Sequence, residues 1–121
     1  MSNSDLVTPK RGEIWQVDFD PVRGAEITKM RPAVVISADA IGKLPIKLVA
    51  PVTGWQLGFE HNIWHVNLTP DSLNKLTKPS AVDVLQLRGV DIQRFVNYVG
   101  RLTSSTMEET TAAIAAVIEY Q

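Results

Sequence analysis

The sequence predicts a mainly β domain: a small, strongly bent antiparallel sheet or barrel closed by one C-terminal α-helix. Three observations point there. Short apolar, β-branched runs recur along the first hundred residues, among them AVVI at 33–36 and VAPV at 49–52. Each is strand-sized and bounded by Gly, Pro or Asp. No helical period lies between them, so the βαβ alternation that builds a parallel sheet is missing. Helical spacing enters only near the end, with Met107, Ile114, Val117 and Ile118.

The elements follow in order. Residues 1–9 are polar and read as a flexible arm ahead of a single domain over 10–121. From Gly12, the residues Ile14, Val17 and Phe19 alternate with polar neighbours, although Trp15 breaks strict period two; Asp20-Pro21 closes this strand. Residues 20–30 form a charged loop or long hairpin tip. Arg31-Pro32 opens the run 33–37, whose continuity predicts a strand buried on both faces. A turn at 38–45 leads to the strand 46–53, where Pro51 signals an edge or a bulge. After a loop at 54–61, residues 62–68 alternate, with Trp64, Val66 and Leu68 on the core face. Residues 72–76 read as one helical turn. Residues 80–88 form a strand whose phase shifts near Leu85, as a bulge would cause. Residues 94–102 are a further strand. Ser105 and Glu108 fit a capping box that opens an amphipathic helix of about four turns, with Glu109, Thr110 and Thr111 away from its apolar face.

Composition narrows the function. The 121 residues carry 12 basic and 13 acidic side chains, evenly divided between the two halves. Any nucleic-acid site is therefore a local patch and not a global field. Cysteine is absent, which removes disulfides, thiolate metal sites and a cysteine nucleophile. The apolar runs are far shorter than the ~18–20 residues of a membrane span. With no apolar signal core near the N-terminus, a cytoplasmic location without a membrane partner is expected.

The common phosphate-binding and hydrolase motifs are missing. His61 and His65 are the two histidines; on a strand that spacing sets them ~13 Å apart, so surface histidines are expected and no metal site. Arg23, Glu26, Lys29 and Arg31 crowd one loop. Arg31 and Glu26 could be an ion pair closing that loop. Alternatively, Arg31 handles phosphate, because its planar fork of donors matches phosphate oxygens, with a carboxylate near to accept a proton. Thr53 ends a strand ahead of Gly54, where its hydroxyl could bond local backbone or a phosphate. Gln86 and Arg88 flank Leu87 in a strand, where they face a dimer interface or a groove. Trp15, Trp55, Phe59 and Trp64 read as core or dimer anchors, or as a base-stacking surface if exposed.

Taken together, the residues resemble a family. RGEIWQVDFDPVRGAE followed by KMRPAVVIS resembles the N-terminal signature of the MazF/PemK toxins of toxin–antitoxin systems. VAPVT at 49–53 resembles the second signature, and SAVDVLQLRGVD at 80–91 the third, with Gln86, Arg88 and Asp91 in register. The pattern GRLTSSTMEE ahead of the helix also fits, so the likeness runs over nearly the whole chain from Lys10. Two features depart from the PemK branch: the first loop has no histidine, and the third signature reads Asp83-Val84-Leu85 in place of an Arg-x-Asp. The block 54–79 matches no family pattern.

The resemblance implies an SH3-like barrel of the PemK/MazF/CcdB-like type, a homodimer, and a cognate antitoxin with an acidic, disordered tail. It also implies a sequence-specific endoribonuclease acting on single-stranded RNA. By motif position, Arg31 matches the catalytic arginine, Thr53 the phosphate-contacting threonine, and Glu26 a glutamate proposed as base in some members. Arg23, Lys29, Gln86 and Arg88 are the expected RNA-binding residues. With no metal-ligand motif and no cofactor, the reaction expected is attack by the RNA's own 2′-hydroxyl, leaving a 2′,3′-cyclic phosphate and a 5′-hydroxyl. Glu26 would take the proton and Arg31 would stabilise the developing charge. The alternatives are a gyrase-poisoning, CcdB-like toxin that binds protein without nuclease chemistry, and a degenerate member that only binds antitoxin.

Overall fold

A computed structural model of the chain describes residues 8–20, 24, 30–41 and 44–120. In chain order these form β1 (Glu13–Asp18), β2 (Met30–Val35), β3 (Ile46–Gly54), β4 (His65–Leu68), β5 (Ser80–Asp83), β6 (Arg88–Asp91), β7 (Phe95–Arg101) and α1 (Ser104–Val117). All pairings are antiparallel. The sheet order is β4-β5-β3-β2-β1-β7, with β6 paired to the first half of β3. β3, the longest strand, therefore joins both halves of the bent sheet. The mainly β architecture with a C-terminal helix agrees with the pattern of the sequence.

The middle of each central strand, Ala33–Val35 in β2 and Leu48–Val52 in β3, is an unbroken apolar run because both of its faces are covered. In β2 and the residue after it, Val34 and Ile36 enter one core cluster, while Ala33 and Val35 enter the other. β3 divides likewise, sending Ala50 and Val52 one way and Val49 the other. Each buried Val or Ile contributes about 1.5–3 kcal/mol relative to exposure. The break in alternation at Trp15 is an irregularity in the β1–β7 ladder, whose register shifts between Ile14 and Trp15. Ile14 and Trp15 are consequently both buried, in different clusters.

Helix α1 closes the Ile14 cluster with Met107, Ala113, Ile114 and Val117. Its cap differs from the expected Ser105–Glu108 box. The Thr103 hydroxyl accepts the Thr106 N–H at 3.1 Å, so the helix starts two residues earlier. Thr110, expected away from the core, is fully buried. Its hydroxyl donates to the Thr106 carbonyl at 2.8 Å, which removes the cost of burying it. Ile118, expected on the apolar face, is the C-cap and is exposed.

Other expectations change in detail. The strand expected over 80–88 is two strands, β5 and β6, separated by a 3-10 turn at Val84–Gln86. The Asp83 carboxylate stabilises that turn by accepting the Leu85 N–H at 3.1 Å. The phase shift at Leu85 thus marks a turn and not a bulge. The strand expected over 62–68 is confined to β4 and follows a 3-10 turn at Phe59–His61. The helical turn expected near 72–76 is present, with the Lys75 N–H donating to the Asp71 carbonyl at 3.2 Å. Buried Asn74 holds it: its amide oxygen accepts from Asp71 and Leu76, and its nitrogen donates to the Thr69 carbonyl. This turn packs on Gly100, where a Cβ would meet the Leu73 carbonyl oxygen at 2.4 Å.

Candidate functional site

The sheet parts along one seam. The β2–β3 ladder comprises Ala33↔Pro51, Val34↔Ala50 and Val35↔Val49 and goes no further. β2 continues on β1 as far as Met30, and β3 continues on β5 as far as Gly54. Pro32 and Pro51, which carry no N–H to donate, flank the point where the ladder stops. Carried two residues on, its register sets Arg31 opposite Thr53 across the opening. A transverse row results, with Phe95, Val17 and Arg31 on one bank and Thr53, Ala81 and Asn67 on the other.

A cavity of about 240 Å³ opens at the seam, and both Arg31 and Thr53 line it. Gln16, Thr77, Lys78 and Ser80 supply its other polar groups, and Met30, Pro32, Val52 and Leu76 its apolar ones. Among the described residues that line it there are two cations, three hydroxyls and one carboxamide, and no carboxylate. Such a set favours an anion, above all a phosphate with several acceptor oxygens. Other cavities differ. The one beneath α1 includes Asp71 and Glu109, and the one at the start of β1 mixes Lys10, Arg11 and Arg101 with Glu13 and Asp39.

The remaining expected site residues divide in two. Arg23, Glu26 and Lys29 lie outside the described residues, and so does the expected Glu26–Arg31 pairing. Gln86 and Arg88 do not line the seam cavity. Gln86 is in the 3-10 turn and not in a strand. Arg88 opens β6 opposite Val49, and its guanidinium carbon lies 5.6 Å from the centre of the Phe19 ring. Val49 is four residues from Thr53, or ~13 Å along β3.

Gln16, Lys78 and Ser80 join the site without any signal from motifs. Gln16 pairs with Pro32 and lies two residues along β1 from the buried Ile14. Lys78 and Ser80 arrive through the pairing of Gly54 with Ser80, a contact between segments far apart in the chain.

A second cluster occupies the same sheet face as Thr53. His65 pairs with Asp83 two residues along from the Ala81–Asn67 pair. It is not the expected surface histidine: its side chain is 8% exposed, stacked at 3.6 Å on Phe59, with Nε2 3.7 Å from Asp83. Asn62 Nδ2 lies 3.1 Å from Nδ1, which suits a neutral ring with its proton on Nε2. Burial pushes the imidazole below the ordinary value of 6.5, against the opposing pull of Asp83. Trp55 packs edge-on against Phe59, so an aromatic row runs from the seam to His65. His61 is exposed beside Glu60. Trp15 packs edge-on with Phe95 and Tyr98 and is a core residue.

Comparison with known proteins agrees with this architecture. The family model for the PemK-like, MazF-like toxin of type II toxin–antitoxin systems matches residues 10–118. The chain is 33% identical over 115 residues to endoribonuclease MazF9 of Mycobacterium tuberculosis, covering 87% of this chain and 92% of that one. Its fold is similar to crystalline MazF (form I) from Deinococcus radiodurans, with a TM-score of 0.78 and 23% identity over 93% of this chain and 98% of that one. It is also similar to an endoribonuclease in complex with its cognate antitoxin from a mycobacterial species, with a TM-score of 0.74 and 17% identity over 94% and 98% of the two chains. The chain belongs to the PemK-like, MazF-like toxins of type II toxin–antitoxin systems.

Proposed function

We propose that this toxin is a sequence-specific endoribonuclease that cleaves single-stranded RNA. The observation that carries the reading is the seam, with Arg31 and Thr53 on opposite banks and no carboxylate among the described residues that line it. Its relative MazF9 is an endoribonuclease, which supports the same activity here. The cleavage chemistry follows from the substrate. The RNA 2′-hydroxyl attacks the adjacent phosphorus, the P–O5′ bond breaks, and the products carry a 2′,3′-cyclic phosphate and a 5′-hydroxyl. The 2′ proton leaves to a base, for which Glu26 is the candidate, and the departing 5′ oxygen takes a proton from water. Arg31 stabilises charge growing on the phosphorane oxygens; donors in that role are typically worth ~3–4 kcal/mol of barrier. Thr53 donates its hydroxyl to a non-bridging oxygen and fixes the phosphate for in-line attack. As an always-protonated group, Arg31 serves as an electrostatic donor and not as a base. Arg23, Lys29, Gln86 and Arg88 track flanking nucleotides.

The partners follow from this reading. A cognate antitoxin with an acidic, disordered tail would meet the cationic seam; the similar mycobacterial endoribonuclease is in complex with its cognate antitoxin. The toxin acts as a homodimer in the cytoplasm, where its messenger RNA substrate lies. Among the described residues, no helix is long and apolar enough to cross a membrane.

Incubation of purified protein with a mixed single-stranded RNA tests the function. Discrete fragments with 5′-hydroxyl ends are expected, DNA of the same sequence stays intact, and EDTA leaves the rate unchanged. Intact RNA together with inhibition of gyrase would establish the protein-binding alternative. Loss of cleavage in EDTA, restored by added metal, would overturn the mechanism.

A further inference from the structure

No motif singles out Lys78, yet the fold builds it into the seam. Its Nζ and Cε stand 3.4 and 3.5 Å from the point where a Cβ on Gly54 would lie. The side chain therefore lies against Gly54, the residue next to Thr53, at ordinary van der Waals distance from where a Cβ there would sit. The backbone beneath it is fixed. The Lys78 carbonyl accepts the Ser80 hydroxyl at 2.9 Å, and Ser80 is buried. The Pro79 carbonyl accepts the Trp55 N–H at 3.0 Å. Among the described residues, no carboxylate pairs with the Lys78 ammonium or lines its cavity. Lys78, placed just ahead of β5 and against the end of β3, thus lines the same cavity as a second cation, Arg31 of β2.

We infer that Lys78 is an RNA-binding residue whose ammonium holds the phosphate next to the one cleaved. This rests on the proposed ribonuclease reading and adds a second phosphate subsite to it. Lysine is a compact, strongly hydrated point charge without the fork of arginine. It suits an unreacting phosphate, whose charge is the same in the ground and transition states. Such a contact supports binding uniformly, so its loss raises KM and leaves kcat in place. A single-strand phosphate contact also adds about 0.7 to the slope of log affinity against log salt. A slope change of that size amounts to about a fivefold loss of affinity at 0.1 M salt relative to 1 M.

The test compares wild type with Lys78→Ala, Lys78→Gln and Lys78→Arg, with Lys10→Ala as an exposed control outside the seam. Binding is read by fluorescence anisotropy on a labelled single-stranded DNA, which lacks the 2′-hydroxyl and is not cut, from 0.1 to 1 M salt. Cleavage of the matching RNA gives kcat and KM separately. Lys78→Ala and Lys78→Gln are expected to flatten the salt slope by about 0.7 and to raise KM about fivefold. In these variants kcat holds, Lys78→Arg restores binding, and Lys10→Ala matches wild type. An unchanged slope and KM in folded Lys78→Ala would remove the subsite, as would a loss confined to kcat. Wild-type DNA binding that depends on Lys78, with no cleavage of RNA, would keep the subsite and overturn the ribonuclease reading. Failure of wild type to bind either strand would overturn both.

Discussion

Gly100→Ala is expected to cost more stability than a methyl added to any other glycine among the described residues. The new Cβ would lie 2.4 Å from the Leu73 carbonyl oxygen, 2.7 Å from that of Asn74 and 2.8 Å from the Asn74 carbonyl carbon. All three are backbone atoms of the turn after β4, so no side chain can rotate away. That turn is fixed by the Arg101 N–H bonded to the Leu73 carbonyl at 3.0 Å and by the Asn74 amide network. Relief of the clash must move the turn and sever some of these bonds. Overpacking alone costs about 1–3 kcal/mol, and each lost hydrogen bond adds about 1 kcal/mol. A total of about 3 kcal/mol follows, or a fall of about 12 °C in Tm for a domain of this size. Thermal and urea unfolding of the purified variant measure it. RNA binding should weaken as well, because the same segment runs on to Leu76, Thr77 and Lys78 at the seam. A Tm within about 3 °C of wild type would refute the packing described for Gly100.

Two further outcomes are expected. His65 has a folded pKa below its unfolded value, so its contribution to stability is present above pH 6.5 and is lost as pH falls through the lowered pKa. Melting temperature should therefore drop between pH 7 and pH 5 more steeply in wild type than in His65→Gln, and equal slopes would contradict the buried neutral ring. Thr103→Ala removes the helix cap and is expected to cost about 1 kcal/mol, seen as a Tm lowered by about 4 °C, whereas Ser105→Ala should change Tm little; the reverse order would place the cap at Ser105.

The strands were legible where alternation or unbroken apolarity left one choice. Val17 and Phe19 predicted β1, and the run after Arg31-Pro32 predicted a two-faced strand, because burial on each face imposes that pattern. The phase shift at Leu85 revealed a break but not its kind: a bulge and a 3-10 turn both change which side chains face inward, and Asp83 decides for the turn by bonding the Leu85 N–H. The burial of Thr110 is invisible to periodicity because a hydroxyl that bonds its own helix carbonyl behaves as an apolar group. Alternation along the strand does not show that His65 is covered, because the Phe59 ring stacked on it comes from the preceding turn. Arg31 and Thr53 were each visible as charged or hydroxylic residues at strand ends. Their position across one seam, and the arrival of Lys78 beside them, depend on strand register between distant segments, which the local sequence does not carry.

Cleavage of single-stranded RNA by Arg31→Ala, with melting temperature recorded on the same sample, is the decisive experiment. The variant should melt with wild type, since Arg31 is half-buried at the seam and outside both core clusters. Its cleavage rate should fall about 100-fold or more, while wild type yields fragments ending in 5′-hydroxyl groups. A folded Arg31→Ala protein that cuts RNA as fast as wild type would show that the chemistry takes place elsewhere on the molecule.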